Sequence, residues 1–218
     1  MNIINLSKQE SILNHYVREI RDEEIQKDPL RFRKNLERIG ELFAYEISKT
    51  MTYETVETKT PLGEASTKTL KQQLVLSTIL RAGLPMHQGV LNIFDQAQNA
   101  FVSAYRKHHK DGSFDVNVEY ASSPSLDNKV LILTDPMLAT GHSMVLTYQE
   151  LLRKGKPLYT HIVSVVASIQ GIEELKKKLN HDHITLWIAA LDEELTAQSY
   201  IVPGLGDAGD LAFGMKED

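Results

Sequence analysis

Six short apolar runs dominate the middle and end of this 218-residue chain: "LVLSTIL" (74–80), "NAFVSAY" (99–105), "VNVEYA" (116–121), "KVLILT" (129–134), "HIVSVVAS" (161–168) and "ITLWIAAL" (184–191). Several are apolar at consecutive positions instead of alternating. That is the mark of a strand covered on both faces, since successive side chains point to opposite sides of a sheet. Helical patterns fall between them at 86–95, 143–154 and 172–179. Strands alternating with helices predict an α/β fold with a doubly wound, mostly parallel sheet. In such a sheet ligands sit beyond the carboxyl ends of the strands, so the residues just after each run carry the functional information.

The flanks read differently. Ser7-Lys8-Gln9-Glu10 fits a capping box, and Ile12, Leu13, Tyr16, Val17 and Ile20 follow at helical spacing. Asp28-Pro29 starts a second helix, whose Phe32, Leu36, Ile39, Phe43 and Ile47 step along one face. Residues 7–50 are therefore an N-terminal helical layer. Residues 51–70 are rich in Thr, Val and Tyr around the turn Thr60-Pro61-Leu62-Gly63, a β-hairpin with little apolar content on either face. Such a hairpin projects as an arm, most usefully over a second subunit. With a core at 71–198, a Gly-rich loop at 199–214 and no linker, repeat or low-complexity tract, the expectation is one domain spanning 1–218.

Bulk properties narrow the function classes. A net charge of −5 argues against a nucleic-acid-binding role that depends on a basic surface. The chain has no cysteine, which removes disulfide frameworks and thiolate zinc sites. No secretory signal is evident, and no stretch approaches the ~20 apolar residues of a membrane span. The expectation is a soluble, cytoplasmic protein without a membrane partner.

Three segments could carry chemistry. In "VLILTDPMLATGHS" (130–143) a buried strand ends on Asp135, and Pro136, Met137, Leu138, Ala139 and Thr140 lead to Gly141, His142 and Ser143 at a helix start. Unpaired N–H groups at that start, the Thr140 and Ser143 hydroxyls and a close-approaching Gly141 suit a phosphate monoester. Asp135 suits vicinal sugar hydroxyls. A plain capped helix with Asp135 as a turn residue satisfies the same pattern. In "TILRAGLPM" (78–86) Arg81 follows a strand directly, and Arg106 ends the next one. Each fits a bidentate phosphate contact or a surface ion pair. Two such arginines with a phosphate loop describe a ligand phosphorylated at both ends. In "SYIVPGLGDAGDLAFG" (199–214) exposed backbone can pair with the edge of a flat heterocycle, although Gly and Asp at short spacing also suit Ca²⁺ or a plain turn. His108-His109 and His181-Asp182-His183 lack evident third ligands, so no metal site is assigned.

"ILRAGL" (79–84), "DPMLATG" (135–141) and "YIVPGLGDAGD" (200–210), with "RFRKNLERIGELFAYE" near the N-terminus, together resemble the uracil phosphoribosyltransferase family. The resemblance covers essentially the whole chain, and the last motif is its most specific part. It implies a type I phosphoribosyltransferase-like fold and a Mg²⁺-dependent reaction of uracil with 5-phosphoribosyl 1-diphosphate, giving UMP and pyrophosphate. It also implies a homodimer or larger homo-oligomer. By the same resemblance Ala139 to Ser143, with the preceding Pro136 to Leu138, would hold the 5′-phosphate, and Asp135 the ribose hydroxyls. Arg81 and Arg106 would face the pyrophosphate. Ile201, Gly206, Asp207 and Ala208 would read uracil through their backbone, with the Asp207 side chain reaching toward the phosphoribosyl group. The catalytic set implied is Arg81, Arg106, Asp135 and Asp207, with no general base named.

Two positions depart from the family pattern. His142 stands where a second glycine is common, and Ile169-Gln170 replaces a common Pro-Glu pair, which leaves the loop after Ser168 open. Pro136, by contrast, is the family's form. It distinguishes this loop from relatives with paired acids, including RNA-binding regulators of the same fold. The C-terminal loop speaks against a purine enzyme, and a non-catalytic nucleotide-binding relative is the remaining alternative.

Overall fold

A computed structural model describes residues 1–108, 114–179 and 182–216, with backbone alone at 104–108 and 114–118. In chain order the elements are β1 (Asn2–Asn5), α1 (Ile12–Arg21), α2 (Pro29–Ser48), β2 (Tyr53–Thr60), β3 (Gly63–Leu70), β4 (Leu74–Leu80), α3 (Leu84–Ile93), β5 (Gln98–His108) and β6 (Phe114–Ser122). They continue with β7 (Val130–Thr134), β8 (Met137–Leu138), α4 (His142–Leu152), β9 (Tyr159–Ser168), α5 (Ile169–Lys178), β10 (Ile184–Asp192), β11 (Glu194–Leu195), β12 (Ile201–Val202) and α6 (Ala208–Phe213).

The main sheet runs β1-β10-β9-β7-β4-β5-β6, with every pair parallel except β5 with β6. The mostly parallel, helix-flanked sheet expected from the apolar runs is present. Within each run alternate residues serve opposite cores. Leu74, Leu76, Val130 and Ile132 face α1, α2 and α3, while Val75, Ile79, Leu131 and Leu133 face α4 and α5. After β5 and β6 the chain crosses back to place β7 on the other side of β4. The order therefore reverses between β4 and β7, and a crevice opens at their carboxyl ends.

One detail sharpens the sequence reading and three correct it. The run at 116–121 forms the antiparallel edge strand of the mostly parallel sheet, β6, paired with β5. β5 itself continues to His108, so Arg106 lies inside the strand, opposite Val116, not at its end. The capping box of α1 is Ser11 with Asn14, not Ser7 with Glu10: Ser11 Oγ accepts from Leu13 N–H and Asn14 Oδ1 from Ser11 N–H. Ser7 instead donates its hydroxyl to Asn5 Oδ1, 2.7 Å away, in a 3₁₀ turn. That turn follows β1, an edge strand on β10 which the sequence reading omits.

α2 begins as the sequence indicates. Asp28 Oδ1 accepts from the N–H groups of Leu30 and Arg31, Pro29 opens the helix, and the stripe from Phe32 to Ile47 is fully buried. The arm is a separate two-stranded sheet, β2 with β3, in which Thr60 faces Gly63 across the Pro61-Leu62 turn. Its residues are mostly exposed. Among the described residues, no helix is long and apolar enough to cross a membrane.

α1 is tied to α2 by a buried acid. Glu19, 6% exposed, accepts both Arg31 Nε (2.8 Å) and Arg31 Nη2 (2.7 Å), and also Asn35 Nδ2 (2.6 Å). The Arg31 fork, opposed by burial and aided by Asn35, holds the Glu19 carboxyl down at about 2. A carboxyl lowered on folding stabilises the protein above its unfolded value near 4.5, and this contribution is lost as pH falls toward 2. Because Arg31 is 44% exposed, the contribution is discounted to ~1–2 kcal/mol. Wild type should therefore exceed Glu19→Gln in urea-melt stability at pH 6, with the gap closing progressively below pH 4. A gap independent of pH would refute this assignment.

Candidate active site at the sheet crossover

The β4 and β7 ends are locked to each other before any side chain reaches the crevice. Thr78 Oγ1 donates to the Thr134 carbonyl and Thr134 Oγ1 to the Ser77 carbonyl, both at 3.2 Å and both buried. Arg81 and Asp135 emerge just beyond this lock, from adjacent strands. Both line a cleft of about 820 Å³.

The loop after β7 is laid onto β9. Asp135 N–H donates to Val163 O at 3.0 Å, and the Pro136 carbonyl accepts from the N–H groups of Val165 and Val166. β8 then resumes pairing with β9. Thr134 pairs with Val163 and Met137 with Val166, so the register is unchanged across the interruption. Pro136 is buried and does not line the cleft; its contribution is a carbonyl. Met137, Leu138, Ala139, Thr140, Gly141 and Ser143 do line it.

Gly141 caps α4 with φ +83°, and no side chain caps the first N–H groups of that helix. A Cβ at Gly141 would lie 2.9 Å from Gly171 O, and a Cβ at Gly171 would lie 2.5 Å from Ala139 O. The loop from Ala139 to Gly141 and the first turn of α5 thus touch backbone to backbone. Ser168 fastens the contact, donating its hydroxyl to Ala139 O while accepting Gly171 N–H at 2.8 Å. This answers the question left open after Ser168. There is no loop: β9 passes directly into α5, and Ile169 and Gln170 are exposed in its first turn.

His142 points away from the cleft lining. Its Nδ1 lies 3.2 Å from Thr140 Oγ1 and its Nε2 3.7 Å from Glu174 Oε1, so the imidazole bridges the loop and α5. The side chain that stands where a glycine is common therefore lies outside the cleft lining.

The C-terminal loop forms the opposite wall. Ile201, in β12, pairs with Leu195 of β11, and Gly206, Asp207 and Ala208 line the cleft beside it. Asp207 caps α6, its Oδ1 accepting from Gly209 N–H (2.8 Å) and Asp210 N–H (3.0 Å). Asp210 pairs with Arg81 Nη2 at 3.2 Å, joining this wall to the end of β4. The Gly–Asp spacing that also suited Ca²⁺ is thus accounted for by a helix cap and an ion pair. Among the described residues, no three His, Asp or Glu side chains converge as a metal site. His109 and His181 lie outside the described residues, as do the side chains of His108 and Arg106.

The cleft includes residues the sequence reading missed. Ser103 faces Leu80 in the β4–β5 register and so arrives next to Arg81. Glu119 comes from the antiparallel edge strand, and Gln198, Ser199, Tyr200 and Lys216 from around the C-terminal loop. Strand register would have signalled Ser103; the others depend on chain direction and loop closure. Among the described residues, the strongly buried histidines His87 and His161 lie outside the cleft, and burial pushes both below the usual imidazole range, His161 to about 4. Each is a neutral core residue: Trp187 Nε1 donates to His161 Nδ1 at 3.0 Å.

A sequence model of uracil phosphoribosyltransferases matches residues 7–215. The chain belongs to the uracil phosphoribosyltransferase family. A family member from Porphyromonas gingivalis is 54% identical over 216 residues, covering 99% of this chain and all of that one. One from Methanothermobacter thermautotrophicus is 38% identical over 193 residues, 88% of this chain and 87% of the relative. Among solved structures, the AQ2163 protein from Aquifex aeolicus superposes with a TM-score of 0.86 at 28% identity, covering 97% of this chain and 98% of that one. An adenine phosphoribosyltransferase from Trypanosoma brucei superposes with a TM-score of 0.56 at 11% identity over 91% of this chain and 87% of that one, a likeness of fold alone. The family's fold and the crossover cleft thus stand in one molecule.

Proposed function

We propose that this protein salvages pyrimidine by transferring the phosphoribosyl group of 5-phosphoribosyl 1-diphosphate to uracil, giving UMP and pyrophosphate. The observation that carries the reading is the cleft itself. An uncapped helix start, a carboxylate and an arginine at the β4–β7 crossover face a backbone-rich loop across a space of small-molecule size.

In this reading the α4 start, from Ala139 to Ser143, binds the 5′-phosphate through N–H groups and the helix dipole. Met137 and Leu138 shape the floor, and Pro136 holds the loop to β9. Asp135 accepts hydrogen bonds from the ribose hydroxyls. The uracil edge pairs with backbone at Ile201, Gly206 and Ala208. Uracil N1 attacks the anomeric carbon as the bond to the diphosphate oxygen breaks. The N1 proton passes to solvent water, and positive charge developing on the sugar ring is matched by negative charge on the departing pyrophosphate. Arg81 is aimed at that leaving group, where fixed positive charge is worth most in the transition state. Arg106 is assigned the same task from the sequence. Asp207 holds the base loop against the phosphoribosyl end through its helix cap. Mg²⁺, when present, would ride on the substrate phosphates and neutralise developing charge. The chain works as one domain in the cytoplasm, and the β2–β3 arm lies over a second copy in a homo-oligomer.

The test is turnover of uracil, cytosine, hypoxanthine and xanthine, each with phosphoribosyl diphosphate and Mg²⁺, followed by pyrophosphate release. Uracil alone should react. Turnover of a purine without uracil would overturn the base assignment, and no turnover would make this a binding-only relative.

A further inference from the structure

The base-reading loop has a second set of supports, which come from the N-terminal helical layer. Asp192 ends β10 and is 7% exposed. Its carboxylate accepts a two-pronged contact from Arg21 at the end of α1, Nη1 to Oδ2 at 3.1 Å and Nη2 to Oδ1 at 3.0 Å. Oδ2 also accepts the Gly204 N–H at 2.9 Å, in a buried bond. Gly204 lies at φ +56°, and a Cβ there would come within 2.1 Å of Ile201 O, so the loop turns too tightly at this point for any other residue. Two further ties run alongside. With its amide turned to satisfy its neighbours, Gln26 donates to Ile20 O and Leu205 O, each at 2.9 Å. Arg33 Nη1, on α2, donates to Ala212 O at 2.7 Å, in the last turn of α6.

The energetics say what the Arg21–Asp192 pair is for. Arg21 Nε is buried without a partner although the side chain as a whole is 21% exposed, and a half-buried ion pair with an unmet donor is a poor stabiliser compared with an apolar pair of the same volume. An apolar pair cannot accept the Gly204 N–H. We infer that Arg21 and Asp192 are positioning residues for base recognition: the arginine fixes the Asp192 carboxylate, and Oδ2 sets the height of residues 201–206 in the cleft. Neither residue lines the cleft, so neither touches substrate. The inference rests on the loop being the uracil reader.

Loss of the fork releases the base loop but leaves the phosphate loop, on β7 and β9, where it was. Arg21→Ala should therefore raise the KM for uracil about 10-fold or more, by misplacing the reading groups, and leave phosphoribosyl diphosphate affinity by calorimetry within about 3-fold. Arg21→Lys, which keeps the charge and loses the fork, should fall between the two. Millimolar guanidinium should partly restore uracil KM in the alanine variant. Arg21→Lys carries the test if Arg21→Ala does not fold. Equal shifts for both substrates, or an unmoved uracil KM in a folded variant, would overturn the inference. Failure of the wild type to use uracil would instead overturn the reading beneath it.

Discussion

Asp135→Ala is expected to lower kcat/KM for phosphoribosyl transfer by about 10²–10⁴-fold, with the fold intact. The proposed role gives this carboxylate two hydroxyl donors, and each charge-assisted hydrogen bond is worth about 1.5–3 kcal/mol. The two together span that range of rate at 1.4 kcal/mol per decade. The strand itself should stay in place, because the end of β7 is also held by bonds that do not involve the carboxylate. The Asp135 N–H goes to Val163 O, and the Thr78 and Thr134 hydroxyls cross-link the strands one residue earlier. Asp135→Asn, which keeps an acceptor without the charge, should cost ~10–100-fold. A phosphoribosyl diphosphate analogue lacking the 2-hydroxyl supplies the decisive comparison. The penalty for the analogue should be large in wild type and nearly absent in Asp135→Ala, the non-additivity expected of partners in contact. Additive penalties would show that Asp135 does not bind the sugar.

The legible and illegible parts of the fold separate on physical grounds. Strands buried on both faces announce themselves, since "VLILT" and "HIVSVV" have nowhere to place a polar side chain, and both appear where read. Direction leaves no such trace. β6 has strand composition whichever way it runs, so the antiparallel β5–β6 pair, and with it the places of Arg106 and Glu119, needed the tertiary structure. β1 is four residues long with asparagine at each end, too short to show a period. The cap of α1 was misplaced because Ser7 and Glu10 satisfy a local rule, while Asn14 does the same work for Ser11 with an amide.

The site divides in the same way. Arg81 and Asp135 were legible because each follows a buried strand at the point where the sheet reverses. Asp192 also follows a buried strand, in "ITLWIAALD", and by pattern alone it is Asp135's equal. Its strand lies away from the crossover, so its carboxylate meets Arg21 and a loop N–H in place of the cleft. The same local motif thus yields a cleft-lining acid or a structural one according to strand order, which no single segment records.

Gly141→Ala is expected to raise the KM for phosphoribosyl diphosphate by ~100-fold or more while moving uracil KM far less. Two costs combine at this residue. A φ of +83° is a left-handed conformation that costs a residue bearing Cβ about 1–2 kcal/mol. The added atom would also sit 2.9 Å from Gly171 O and 3.0 Å from Glu174 Cβ, so either α5 retreats or the loop lifts off it. Lifting the loop would break the Ser168 hydroxyl's bond to Ala139 O and scatter the α4 N–H groups proposed to hold the phosphate. Gly171→Ala tests this from the other side, because its Cβ would strike Ala139 O at 2.5 Å and Leu138 O at 2.7 Å with no positive φ involved. Both variants should lose phosphate affinity, and Gly141→Ala should also melt lower, by about 2–4 °C for each kcal/mol of strain in a chain of this size. If Gly141→Ala melts lower yet keeps its KM for phosphoribosyl diphosphate within about 3-fold, the helix start is an ordinary cap and the phosphate is held elsewhere in the cleft.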